Sequence, residues 1–364
     1  MILSELTSYL DSAVPLALQE DYDNAGLQAG LPDREISSAL LTIDVTEDVV
    51  EEAVAGKYDL IISHHPLIFS GIKKLTGRTR EERILIRAIK NDIAIYSSHT
   101  NLDIFKGGVS RKMAEKLGLN DIRVLSPLKN SLLKLIVHIP ESHIDNVRSA
   151  VFGAGAGVTG NYDNCGFIGH GTGSFRGNEN SAPFAGNRGE LHYEKEIRFE
   201  TVLYSHLKSQ VVKAMLDAHP YEEVAYDILQ LQNDDHGNGL GCTGEFADPV
   251  TETDFLKMLS VCFTEKGIKY SNLTGRAIKK VALCGGAGSS LLTMALASGA
   301  DAFVTGDIKY HSFFDADKRI LLVDAGHYES EKYSTEILYD LIIKKFPKFA
   351  LRFSETNTNP INYL

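Results

Sequence analysis

Apolar residues in the first third of the chain follow two rhythms. Leu3, Leu6, Leu10 and Ala13 recur in steps of three and four, the spacing of one helix face, so the chain is expected to open with a helix. Short uninterrupted apolar runs follow at 38–45 (SALLTIDV), 59–63 (DLIIS) and 93–97 (IAIYS), each bounded by polar or turn residues. Runs of this length without polar alternation read as strands buried on both faces. Amphipathic stretches at 47–55, 81–90 and 108–117 alternate with them and read as helices. Strands alternating with helices predict a mostly parallel sheet covered on both sides.

The same pattern returns near the C-terminus. Strands are expected at 280–284 (KVALC), 302–305 (AFVT) and 319–324 (RILLVD), with helices at 289–298 and 329–346, the last stopped by Pro347. The middle reads differently: strand 131–139, helix 142–152, strands 162–172 and 197–203, helix 205–218 and strand 223–231. This βαββαβ order is that of a ferredoxin-like unit. Its inner strands are separated by a loop, 173–189, rich in Gly, Asn and Ser. The expected fold class is therefore α/β: a split core of two similar halves, residues 1–128 and 235–364, with sheets covered by helices. An inserted ferredoxin-like α+β domain occupies 129–234, with seams near 127–130 and 232–241.

Composition narrows the function. A formal net charge of −11 over 364 residues disfavours nonspecific nucleic-acid binding, which needs basic groups to displace counterions. No apolar stretch approaches the roughly 20 residues of a membrane span. Asp11 and Glu20 interrupt any signal-peptide pattern at the start, so a cytoplasmic protein is expected. Cys165, Cys242, Cys262 and Cys284 are widely spaced and imply neither a disulfide framework nor a thiolate zinc site.

Candidate chemistry gathers at strand ends. His64-His65-Pro66 follows DLIIS directly, and carboxyl ends of strands are where open α/β sheets bind ligands. Asp103 lies in SHTNLD, just after IAIYS; alone, Asn101 and Asp103 read equally as turn formers. His327 and Glu331, in DAGHYESE after RILLV, are four apart and share one helix face, as two ligands or as an ordinary surface pair. Together these segments offer three imidazoles and two carboxylates. That set suits zinc, manganese or iron better than calcium, and exceeds what one tetrahedral zinc needs. It fits two divalent ions about 3.5–4 Å apart, which lower the pKa of water between them and so furnish a nucleophile at neutral pH.

Weaker candidates surround this set. Gly286 and Ser289 lie in a glycine-rich turn, 285–290, between a strand and a helix; the turn either binds an anion at a helix start or is a tight βα connection that needs glycine. Asp307 and His311, in TGDIKYH, are placed to orient a ligand imidazole, and His99 to face the pocket. The G-x-G-x-x-G at 155–160 follows a helix and precedes a strand, the reverse of the dinucleotide-binding context.

The segments DYDNAGLQAG (21–30), LLTIDVTEDVVEEA (40–53), DLIISHHPLIF (59–69), IYSSHTNLD (95–103), FVTGDIKYH (303–311) and VDAGHYESE (323–331) together resemble the GTP cyclohydrolase 1 type 2 homologue family, the dinuclear-metal-centre toroidal hexamer proteins. The middle, with HPYEEVAYD at 219–227, resembles the PII-like or CutA-like insertion of the longer bacterial members. The resemblance implies His64, His65, Asp103, His327 and Glu331 as ligands of two metal ions, and a homohexamer with the sites facing an inner cavity. It implies a hydrolase acting on a nucleotide-like or phosphate-bearing small molecule. The rival expectation is a non-enzymatic metal-binding or regulatory hexamer whose insert senses a small effector.

Overall fold

The computed structural model describes residues 1–263 and 267–362. The chain divides into two compact units, 1–127 with 236–364, and 128–235.

The discontinuous unit contains two sheets. In the first, the neighbours run Gly26–Ala29, Ala94–Ser97, Leu60–Ser63, Ser38–Thr42 and Ala350–Phe353. The last four strands are parallel, and Gly26–Ala29 is an antiparallel edge. In the second, the order is Lys269–Tyr270, Leu321–Asp324, Ala302–Thr305, Ile278–Leu283, Asp235–Val250 and Asn120–Leu128.

The uninterrupted apolar runs are explained by burial on both faces. Leu60 and Ile62 enter one core together with Val281, Leu283, Val304 and Val323 of the second sheet. Ile61 points the other way, against Val49 and Val50 of helix Glu47–Gly56 and Ile84 and Leu85 of helix Arg80–Lys90. Phe303 and Leu322 likewise face outward onto helix Leu292–Ala297. One core thus joins the two sheets through side chains of the helices Leu3–Ala13, Val109–Lys116 and Ser334–Lys345, and a helix layer covers the back of each, as expected of the α/β class. Local chemistry sets the helix starts: the Thr46 and Thr79 hydroxyls accept from the N–H groups of Val49 and Glu82, caps worth about 1 kcal/mol each.

Several elements depart from the expectation, among them the strands Gly26–Ala29 and Asn120–Leu128, which no apolar run announced. The helix expected over 329–346 is two, His327–Glu331 and Ser334–Lys345. Ser330 Oγ donates to the His327 carbonyl and Thr335 Oγ1 to that of Lys332, and such side-chain bonds compete with the helical ladder. Ala350–Phe353 is an unforeseen strand, too short to show a period. Asp235–Val250 runs through residues that read as a seam, because Gly237, Gly239, Gly241 and Gly244 suggest a loop. At two of these positions glycine serves close approach: a Cβ on Gly239 would lie 2.1 Å from the Ser126 carbonyl oxygen, and one on Gly244 would lie 2.9 Å from Leu119 Cβ.

The second unit is a four-stranded antiparallel sheet in the order Gly166–Phe175, His192–Tyr204, Leu132–Pro140, Tyr226–Gln230. Helices Ile144–Gly153 and Lys208–Ala218 supply Val147, Val151, Val211 and Met215 to a core with Leu135, Val137, Ile139 and Phe199. The order is that of the ferredoxin-like unit. Its second strand begins four residues later than 162.

The core residues of the insert form a set separate from those of the discontinuous unit. Replacing 128–235 by a short Gly-Ser linker between Pro127 and His236 is therefore expected to leave a soluble protein with one cooperative thermal transition by circular dichroism. An aggregated or unfolded product would count against independent cores.

Candidate metal centre

The strand ends of the two sheets converge on a buried group of ionisable side chains. His64 and His65 follow Leu60–Ser63, Asp103 lies on the short helix Thr100–Ile104 after Ala94–Ser97, and His327 and Glu331 lie on the helix after Leu321–Asp324. Glu331 is the hub. Its Oε2 is 2.9 Å from His65 Nε2, 3.1 Å from His327 Nε2 and 3.8 Å from His64 Nε2. His327 Nε2 is 3.4 Å from His65 Nε2, and Asp103 Oδ1 is 3.7 Å from His64 Nε2.

Each imidazole is anchored on its far side. His64 Nδ1 donates to the Ser98 carbonyl, His65 Nδ1 to Asp44 and His327 Nδ1 to Asp307, each at 2.8 Å. Three unrelated acceptors thus turn three Nε2 atoms inward, the arrangement by which outer groups fix the tautomer of metal-binding histidines. Sequence reasoning singled out Asp307 and missed Asp44. The available signal was an aspartate just beyond the strand Ser38–Thr42, at the same sheet edge as His64.

The charges are tightly balanced. Burial disfavours protonation of His65, yet its bonds to Asp44 and Glu331 push its pKa up to about 10. The hydrogen bond to Glu331 raises His327 to about 9 against burial, with Asp307 assisting. Burial also opposes ionisation of Glu331, but the surrounding imidazoles hold its carboxyl well below the ordinary range. Asp103 is pushed up to about 7, first by burial and then by the Glu331 charge, against the pull of His64.

Two atoms are left over. Among the described residues, His64 Nε2 and Asp103 Oδ1 are buried and have no hydrogen-bond partner. A buried polar atom left unpaired costs about 1–3 kcal/mol, and two facing each other at one carboxylate suit a shared cation. His64, His65 and Glu331 alone offer donor atoms all within 4.8 Å of one another, a group that could hold a metal ion.

Gly286 closes one wall. Its φ is +60°, and a Cβ there would lie 2.0 Å from Glu331 Oε1, so both backbone and space require glycine. Its N–H donates to Ser330 Oγ and that of Gly288 to Thr305 Oγ1. The N–H groups of Gly286 and Gly288 are thus spent within the protein, and Ser289 begins a three-residue helical turn. His311 is exposed and packs against Tyr310 and Phe314 instead of entering the cluster. His99 borders the cluster, with ring centroids 5.4 Å from His64 and 5.3 Å from His65. Its Nδ1 donates to Asp23 at 2.8 Å. Asp23 also accepts from the backbone N–H and hydroxyl of Thr100. Burial opposes ionisation of Asp23, but the bonds from His99 and Thr100 outweigh it and hold the carboxyl below the usual range.

Among the described residues, no helix is long and apolar enough to cross a membrane. A model of the Duf34/NIF3 (NGG1p interacting factor 3) family matches residues 1–360. The chain is 42% identical over 315 residues to the GTP cyclohydrolase 1 type 2 homolog of Halalkalibacterium halodurans, covering 86% of this chain and 85% of that one. Identity to the Bacillus subtilis protein of the same name is 37% over 360 residues, 96% and 95% of the two chains. The crystal structure of a Bacillus cereus protein related to NIF3 matches 100% of this chain and 99% of its own, with a TM-score of 0.87 and 36% identity. The chain belongs to the Duf34/NIF3 family.

Proposed function

We propose that this protein is a dinuclear metal-dependent hydrolase acting on a nucleotide-like or phosphate-bearing small molecule. The observation that carries the metal reading is the unpaired couple His64 Nε2 and Asp103 Oδ1, buried beside a carboxylate that already gathers three imidazoles. In this reading His64, His65, Asp103, His327 and Glu331 hold two divalent ions, with zinc, manganese or iron suited to the mixed nitrogen and oxygen set. When bound, the ions would supply Lewis acidity and lower the pKa of coordinated water. The chain's own residues do the rest. Asp44, Asp307 and the Ser98 carbonyl hold the imidazoles in one tautomer. Asp23 orients the His99 ring at the edge of the cluster, 2.8 Å from its Nδ1.

The nucleotide class is supported by the name GTP cyclohydrolase 1 type 2 homolog carried by the relatives. It is tested by a turnover screen of nucleotides and phosphoesters with metal-loaded protein and with His64→Ala. Turnover lost in the variant supports a hydrolase. Metal binding without turnover of any substrate would overturn the enzyme reading and leave a binding or regulatory protein.

Asp103→Ala and Glu331→Ala are each expected to lower metal content from two ions per chain to one or none by elemental analysis. Unchanged content in both would show the ligand assignment to be wrong. Binding must also displace protons, because ligating imidazoles are neutral and ligating carboxylates ionised. His65 near 10 and His327 near 9 are both protonated at neutral pH in the metal-free protein. Apparent zinc affinity is therefore expected to rise steadily from about pH 6 to pH 9. Titration calorimetry in buffers of different ionisation enthalpy should register proton release at pH 7; its absence would contradict the assignment. Assembly as a toroidal homohexamer, implied by the family resemblance, is expected to give a light-scattering mass near six times the 40.0 kDa chain. A monomer at all concentrations would refute it.

A further inference from the structure

The inserted unit has a cavity of its own, about 490 Å³, far in chemistry from the histidine cluster. Three aromatic rings stand among its lining residues, most of which are polar. Phe175 and Phe184 flank Tyr221, with ring centroids 5.9 Å and 6.0 Å away at interplanar angles of 61° and 46°. The three rings line the cavity tilted against one another instead of stacked flat.

A carboxylate lies against this space. Glu196, on strand His192–Tyr204, is only 8% exposed. The Tyr221 hydroxyl donates to its Oε1 at 3.0 Å and is its one hydrogen-bond donor among the described residues. Its Oε2 lies over Gly173, where a Cβ would come within 2.2 Å, so the facing strand is bare of a side chain where the carboxylate passes. Oε2 accepts from no protein donor among the described residues, so it is open to a donor from the cavity.

The aromatic and acidic groups are held in register. His219 is buried, donates from Nε2 to the His138 carbonyl and accepts at Nδ1 from the Tyr221 N–H. Accepting at one nitrogen and donating at the other fixes it as the neutral Nε2–H tautomer and fixes the backbone of Tyr221. Glu222 accepts the Ala182 N–H at 2.9 Å and 3.0 Å, tying the segment that carries Phe184 to the rim. Around the cavity three carboxylates, Glu196, Glu222 and Glu223, face one arginine, Arg176. Aromatic faces attract cations through their quadrupole, and a desolvated carboxylate adds a charge-assisted hydrogen bond.

We infer that this cavity binds a small organic cation, a guanidinium or ammonium group on a short apolar stem, with the head on Glu196 and the stem against Phe175, Phe184 and Tyr221. The site is independent of the metal reading.

The test titrates full-length protein by calorimetry with butylguanidine and with butylurea, which has nearly the same shape but no charge. Butylguanidine is expected to bind saturably and at least tenfold more tightly than butylurea. Glu196→Gln keeps the shape of the side chain and is expected to weaken butylguanidine at least tenfold while leaving butylurea unchanged. Phe184→Ala, at a half-exposed loop position where folding is not at risk, is expected to weaken both ligands. Equal affinity for the two ligands, no saturable binding of butylguanidine, or full affinity in both variants would each overturn the proposal. N-acetylarginine methylamide separates a free metabolite from a peptide-borne side chain. It should bind more weakly than butylguanidine, and tighter binding would assign the site to a protein segment and overturn the small-molecule reading.

Discussion

A carboxylate that is 3% exposed must be met by protons or cations, and the core unit is built so that Glu331 is met from both of its sheets. His65 comes from the end of a strand in the first sheet, and His327 from the helix that follows a strand in the second. The shared core of Leu60, Ile62, Val281, Val304 and Val323 with the helices Leu3–Ala13, Val109–Lys116 and Ser334–Lys345 fixes the two sheets, and so fixes the 2.9 Å between His65 and Glu331, 266 positions apart in sequence. Hydrophobic packing provides the rigidity and the polar cluster uses it. Loss of packing between the sheets would be felt first at Glu331, because a buried charge has little tolerance for a partner that drifts away.

Much of this was readable from residue order. Uninterrupted runs such as LIIS and AFVT marked strands covered on both sides, and SHHP, TNLD and GHYESE stood at strand ends, where their side chains do converge. Less legible was everything that depends on partners distant in sequence. Asp44 and Asp23 look like ordinary loop carboxylates until the fold sets them behind His65 and His99. The glycines of Asp235–Val250 spell a loop, yet they allow a neighbouring backbone to come close. The break near residue 332 arises from hydroxyls bonding back to carbonyls, which leaves no gap in the apolar periodicity. His311 shows the opposite error, since a suggestive spacing after a strand placed it near the cluster while its ring lies with exposed aromatics.

The outer acceptors deserve as much weight as the inner groups in any comparison with relatives. Asp44 is held by the Thr358 hydroxyl as well as by His65, and Glu329, beside the cluster, accepts from Asn359. The tail after the last strand is therefore part of the support of the site. Glu52 extends the same attachment, accepting from the Ser354 and Thr356 hydroxyls and from the Glu355 N–H. A truncation that spared every residue of the histidine cluster would still release His65 from its orienting partner's anchor.

The strand Ala350–Phe353 lies parallel to Ser38–Thr42, and the Ser354–Glu52 bond beyond it spans 302 positions. On a ribosome adding about 5–20 residues per second, the N-terminal sheet emerges long before its fifth strand exists. Until then Ser38–Thr42 is an open edge with unpaired peptide groups, the kind of surface that invites wrong partners. The strand that closes it begins 308 positions after Thr42, at Ala350. For this chain, the first sheet is finished only after the insert and the whole second sheet have been made.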